Sequence, residues 1–167
     1  MTDKIWLEKS HKKLAEIIAD EIDTGTGRKI LEFGSGSGSV AEILRDKCDY
    51  LACTDKDQAA LEQLNTAGAG AEIVLIPDSE LEEDCYFGRF HMVYTLFGFQ
   101  DLPHLVDEIM RLRRLILKGG KMVIVGSPDG NSETECTKQL KRCGFVDISS
   151  ESAEIEEEKV FIITARK

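Results

Sequence analysis

The stretch Lys29-Ile30-Leu31-Glu32-Phe33-Gly34-Ser35-Gly36-Ser37-Gly38-Ser39-Val40-Ala41-Glu42-Ile43-Leu44 constrains this chain more than any other. It reads as strand, glycine turn and helix. Ile30, Leu31 and Phe33 form a short apolar run suited to a buried strand. Three glycines then follow at alternate positions. Glycine takes positive φ at little cost and lets a ligand approach the backbone. Ser39 and Glu42 have capping-box spacing, which predicts a helix from Ser39. A helix start presents unpaired N–H groups and the positive end of a dipole, which suits a carboxylate or phosphate. A tight turn with no ligand would use the same glycines, so the rest of the chain must decide.

Around this stretch the sequence alternates helical and extended patterns. Leu14, Ile17, Ile18 and Ile22 repeat at helical spacing within residues 3–23, and Thr24-Gly25-Thr26-Gly27 ends that helix. After a helix over residues 39–47 comes a strand, 49–55, closed by Asp55. Asp57 is placed to cap a helix over 58–65, and residues 65–70 form a loop. A third strand, 71–76, stops at Pro77-Asp78, and the acidic residues 79–89 predict a short helix or loop. A fourth strand covers 90–96. Pro103 opens a helix whose buried stripe is Leu105, Ile109, Leu112 and Ile116, and Gly119-Gly120 stops it. A fifth strand covers 121–126. Ser132 and Glu135 mark another capped helix, ending at Cys143-Gly144. Two last strands, near 145–149 and 159–165, flank the acidic run 151–158, read as a solvated connection.

This alternation predicts an α/β fold with a mostly parallel sheet, helices on both faces and an antiparallel C-terminal hairpin. Ligands of such sheets lie outside the carboxyl ends of the strands, where strand order reverses. The glycine turn, Asp55, Asp78, residues 94–101 and residues 127–129 all fall at that end. The 167 residues fit a single domain, with residues 1–27 as an N-terminal helix covering the cleft and 28–167 as the core. With 31 acidic against 21 basic side chains, the chain carries no basic footprint for nucleic acid or an anionic membrane. No apolar run approaches a membrane span, and no signal peptide is visible. The five cysteines include no C-x-x-C pair, so reduced thiols in a cytoplasmic protein are expected, and no metal site.

The dinucleotide pattern G-x-G-x-x-G fails at Ser39. Glu32, two residues before Gly34-x-Gly36-x-Gly38, breaks the tie. Here the sequence resembles the class I S-adenosylmethionine-dependent methyltransferases, whose first motif is two apolar residues, an acid, any residue, then G-x-G-x-G. Ile30-Leu31-Glu32-Phe33-Gly34-Ser35-Gly36-Ser37-Gly38 matches it throughout. The acid after the second strand matches Asp55 and the acid after the third matches Asp78. Arg114-Leu115-Ile116-Leu117-Lys118-Gly119-Gly120-Lys121 resembles a later block of the family without its proline. The resemblance covers residues 29–167 and fits the small-molecule branch best.

The resemblance implies a Rossmann-like doubly wound sheet of about seven strands and S-adenosyl-L-methionine as cofactor. It implies that the main chain of Gly34, Ser35, Gly36 and Gly38 passes the methionine part, and that Glu32 helps fix its ammonium. Asp55 accepts the ribose hydroxyls, and the stem of Lys56 lies where an apolar residue commonly packs on adenine. Asp78 and the Ser79 backbone hold the adenine amino group. A carbonyl near Tyr94 or Thr95 takes the ammonium. His91 stands where the family usually has Asp. The acceptor pocket is expected from Trp6, His11 and residues 97–101, with Trp6, Phe97 and Phe99 as its apolar lining or else part of the core. No catalytic base is identifiable; His11, Tyr94 and Asp101 lie near the expected mouth. A small organic acceptor is expected. The rival readings are a methyltransferase-like binding or scaffold domain without turnover, and a nicotinamide-dependent oxidoreductase.

Overall fold

A computed structural model describes residues 4–25, 28–64 and 70–167, with side chains from residue 10 onward. Asp3, Thr26, Gly27, the loop residues 65–69 and the side chain of Trp6 lie outside the described residues. The strands are β1 (Lys29–Phe33), β2 (Tyr50–Thr54), β3 (Ile73–Leu75), β4 (Phe90–Leu96), β5 (Ile116–Gly126), β6 (Val146–Ile155) and β7 (Glu158–Arg166). The helices are α1 (Lys4–Asp20), α2 (Ser39–Leu44), α3 (Gln58–Glu62), α4 (Leu105–Leu115) and α5 (Glu133–Arg142). One seven-stranded sheet runs in the order β3-β2-β1-β4-β5-β7-β6. β1 to β5 are parallel. β7 is antiparallel to both β5 and β6. Strand order reverses between β1 and β4, which places the carboxyl end of β1 at the crevice.

Each parallel strand is apolar on both sides because both sheet faces are covered. Leu31, Phe33, Val93, Met122 and Ile124 join Ile109, Leu112 and Leu140 of α4 and α5 in one core. Ile30, Leu51, Cys53, Tyr94 and Val123 join Leu14, Ile18, Val40 and Leu44 of α1 and α2 in the other. β1 thus alternates between two cores, and Glu32 shares the face of Ile30 by strand periodicity. Cys48, Cys53, Cys136 and Cys143 are buried thiols and Cys85 is exposed. Among the described residues no helix is long and apolar enough to cross a membrane.

The local signals succeed where a single interaction decides them. The Asp57 carboxylate accepts the N–H groups of Ala59 and Ala60 at 3.0 and 3.3 Å, capping α3. The Ser132 hydroxyl accepts the Glu135 N–H at 3.3 Å, capping α5. Other signals are overruled. α2 starts at Ser39, yet its cap residue is Gly38 in the left-handed region, and Ser39 bonds the Ser37 hydroxyl instead. No capping box forms there. Pro103 lies in the turn before α4, whose cap residue is His104. α4 ends at Leu115, before the glycines, because Ile116 already pairs with Phe90 in the sheet.

The acidic run is the largest correction. It is not a loop: β6 extends to Ile155, and only Glu156 and Glu157 form the turn into β7. β6 is the outer strand and is exposed along most of its length, so it needs no apolar alternation. Its charges also discourage edge-to-edge pairing. Both turn residues have positive φ, 48° and 69°, which a two-residue hairpin demands and glutamate disfavours. Replacing Glu156-Glu157 by Asn-Gly is therefore expected to stabilise the fold by about 1 kcal/mol. Urea denaturation reads this as a higher midpoint; an unchanged or lower midpoint contradicts the turn assignment.

Candidate functional site

The glycine turn is held by the end of β2. The N–H groups of Gly34 and Ser35 donate to the Thr54 carbonyl at 2.9 and 3.0 Å. The Gly36 N–H donates to the Asp55 carboxylate at 2.8 Å. Gly34, Gly36 and Gly38 all have positive φ, 75°, 52° and 71°. Gly36 has open space where a Cβ would stand, whereas a Cβ on Gly38 would lie 2.3 Å from Leu64. So Gly36 leaves the backbone open to a ligand and Gly38 allows close packing.

Asp55 is shared between two loops. One carboxylate oxygen accepts Gly36 N–H and the other accepts Asp57 N–H, each at 2.8 Å. Each oxygen has a second lone pair for a further donor. Asp55 lines a cleft of about 300 Å³ with Phe33, Gly34, Lys56, Leu96, Phe97 and Gly98. The loop after β4 approaches closely: a Cβ on Gly34 would stand 3.6 Å from the Gly98 Cα. Phe97 lines the cleft with a left-handed φ of 60°. Phe99, in contrast, is buried in the core against Phe33, their ring centroids 5.9 Å apart.

Glu32 lies inside β1, two residues before the turn. It is only 2% exposed. In the sheet it pairs across with Cys53 on β2 and Tyr94 on β4. The Cys53 thiol donates to its carboxylate at 3.8 Å. Burial pushes the Glu32 carboxyl up to about 8; the Tyr94 hydroxyl and the Cys53 thiol pull it down, and the Asp55 charge adds to the rise. The Tyr94 hydroxyl is close enough to favour the carboxylate, but it makes no fully formed hydrogen bond. None of the groups that set this acidity is a Lys or Arg. The buried hydroxyls of Thr54 and Thr95 are unpartnered too.

Asp78 belongs to a different arrangement. Its carboxylate pairs with Arg111 of α4 at 2.7 Å, and Arg111 also donates to the Asp78 carbonyl at 3.1 Å. Arg111 pairs with Glu108, which accepts from Lys56 at 3.0 Å. The Arg111 guanidinium and the Lys56 ammonium both lie near the Phe33 ring, at 5.8 and 5.9 Å from its centroid. Asp78 is thus tied to α4 beside the cleft, and Ser79 is exposed in the following 3-10 turn. Arg111 and Glu108 carried no sequence signal beyond their spacing on a helix. Their partners are remote in sequence. His91 is at the opposite end of β4, where its Nδ1 accepts the Lys29 N–H at 3.2 Å. It therefore serves strand pairing. His104 and Asp101 are exposed.

No protein-family model and no curated protein matches the sequence. Solved structures do match the fold. An S-adenosylmethionine-dependent methyltransferase from Mesorhizobium loti superposes with a TM-score of 0.75 at 12% identity, covering 94% of this chain and all of that one (100%). A geranyl diphosphate methyltransferase, solved with geranyl diphosphate and sinefungin, gives 0.76 at 13% identity over 93% of this chain and 78% of its own. The [4+2]-cyclase SpnF gives 0.76 at 13% identity over 93% and 80%. The chain has the class I S-adenosylmethionine-dependent methyltransferase fold. These neighbours differ in what they are described as doing, so the fold does not by itself set the reaction.

The raised pKa of Glu32 has a stability consequence. Below about pH 4.5 folded and unfolded states both hold the proton. Between 4.5 and about 8 the unfolded chain releases it while the folded protein keeps it, so stability is lost as pH rises through that window. The loss is on the order of 4–5 kcal/mol, complete near pH 8. Glu32→Gln is expected to match the wild type near pH 4 and to exceed it increasingly toward pH 8, without ligand. Denaturation at several pH values checks this; a constant difference would contradict it.

Proposed function

We propose that the protein binds S-adenosyl-L-methionine and transfers its methyl group to a small-molecule acceptor in the cytoplasm. One observation carries the reading: an acid buried beneath a glycine turn with no cation beside it among the described residues. A charged carboxylate there is costly until a cation arrives. A ligand with an ammonium group supplies that cation, and Glu32 is the group that would hold it. Carbonyl oxygens at Tyr94 or Thr95 would complete its hydrogen bonds. Gly34, Ser35, Gly36 and Gly38 would let the methionine part lie against main chain.

Asp55 faces the cleft with lone pairs to spare, which suits the two hydroxyls of a ribose. Lys56 would lay its stem on the adenine, as long side chains do on apolar surfaces. The Asp78 carboxylate and the Ser79 main chain remain the proposed adenine contacts. Arg111 would fix their loop, since it holds both the carbonyl and the carboxylate of Asp78. Phe97 would border the acceptor, with α1 and residues 1–27 as its cover. When bound, the sulfonium supplies an activated methyl group, so the protein's task is alignment. A base is needed only where the acceptor arrives protonated.

A second reading follows from the cyclase neighbour: the same site holding the ligand in a chain with another role. Calorimetric titration addresses the shared part first. S-adenosylmethionine is expected to bind and NADH not to bind. Asp55→Ala is expected to weaken binding by about a hundredfold, the loss of charge-assisted hydrogen bonds. Binding of NADH alone would establish the oxidoreductase reading instead. Unchanged affinity in Asp55→Ala would remove the ribose assignment. Turnover against a panel of small metabolites then separates transferase from binding domain.

A further inference from the structure

The Tyr94 side chain is fully buried at the centre of the sheet. Its register partner on β1 is Glu32. Its hydroxyl reaches the neighbourhood of the Glu32 carboxylate without completing a hydrogen bond, and no other partner satisfies it. An orphaned buried hydroxyl costs free energy unless another state uses it. The groups facing Glu32 are Tyr94 from β4, Cys53 from β2 and Asp55 just after β2. The thiol is a weak donor and Asp55 is a like charge. Tyr94 is therefore the strong donor available to an ionised Glu32.

We propose that Tyr94 is a positioning residue that makes cofactor binding proton-linked: Glu32 gives up its proton when the ammonium arrives, and the Tyr94 hydroxyl then donates to one carboxylate oxygen, leaving the other for the ligand. This rests on the cofactor reading above. The proton leaves the Glu32 carboxyl for solvent, while Tyr94 keeps its own. The phenol is buried beside an acid, and burial and that charge both hold it well above the ordinary tyrosine range. It is thus a donor throughout, not the group that titrates. Free Glu32 titrates near 8, so the linkage operates across neutral pH.

The test uses S-adenosylhomocysteine, which shares the amino-acid end, and the full chain. Calorimetry near pH 7 in buffers of different ionisation enthalpy counts protons. The wild type is expected to release close to one proton from the protein, after subtraction of the ligand's own titration. Tyr94→Phe removes only the donor. It is expected to bind about tenfold or more weakly at pH 7. The ratio of its Kd to that of the wild type should shrink toward one as pH rises above the mutant's own midpoint, because Glu32 is then ionised in both proteins. The same ligand serves both, so its titration cancels in the ratio. A ratio constant with pH would mean a merely structural role and overturns the proposal. So does binding to the wild type without proton release, a result that does not depend on the variant folding. Absence of any binding to the wild type overturns the cofactor reading together with this one.

Discussion

Everything at the carboxyl end of the sheet depends on how the glycine turn is fastened to β2. Two N–H groups of the turn converge on the Thr54 carbonyl, and a third reaches the Asp55 carboxylate. These bonds set the exit of β1 against the exit of β2 and leave Gly36 open to the cleft. Asp55 is thereby fixed from both oxygens before any ligand is present. A carboxylate held in this way loses little freedom when it meets a donor, which is the advantage of a preformed site.

Beneath that turn the sheet stores an electrostatic cost. Glu32 sits where an apolar side chain would pack better, flanked by a phenol and a thiol. Buried acids without partners are rare because neutralisation or desolvation must be met from the rest of the fold. The surrounding cores supply the opposing stability: large apolar side chains from α1, α2, α4 and α5 cover both faces of the sheet. The fold tolerates Glu32, and in the proposed reading a ligand's ammonium offsets that cost. The neighbouring ion network of Lys56, Glu108, Arg111 and Asp78 is the reverse case. Its charges are already neutralised among themselves, so it shapes the cleft wall more than it attracts a charged ligand.

Most of the architecture was legible in the sequence because strands and helices alternate with strong terminators. β4 matches its apolar run from Phe90 to Leu96, and the Asp57 and Ser132 caps form as their spacing requires. The strand near 145–149 and its antiparallel hairpin are present, but its extension to Ile155 was not legible because an outer strand exposed along most of its length carries little periodic hydrophobicity. The Ser39 signal placed the start of α2 correctly, but the capping box itself does not form because Gly38, free to adopt positive φ, takes the cap position. At the site, Glu32, Gly34, Ser35, Gly36 and Asp55 are brought together by β1 and β2 as their motif implied. Asp78 is instead tied to Arg111 of α4, a bond that spans 33 residues and leaves no local trace. The pairing of Tyr94 with Glu32 was equally hidden, since it depends on β4 lying next to β1.

The central claim is that Glu32 is the counter-ion of a ligand's ammonium group. A crystal structure with S-adenosylhomocysteine tests it most directly. The account predicts the amino nitrogen about 3 Å from a Glu32 carboxylate oxygen, with the ribose at Asp55. A bound ligand whose amino group points away from Glu32, or a nucleoside seated outside the cleft beside Gly34, would contradict it.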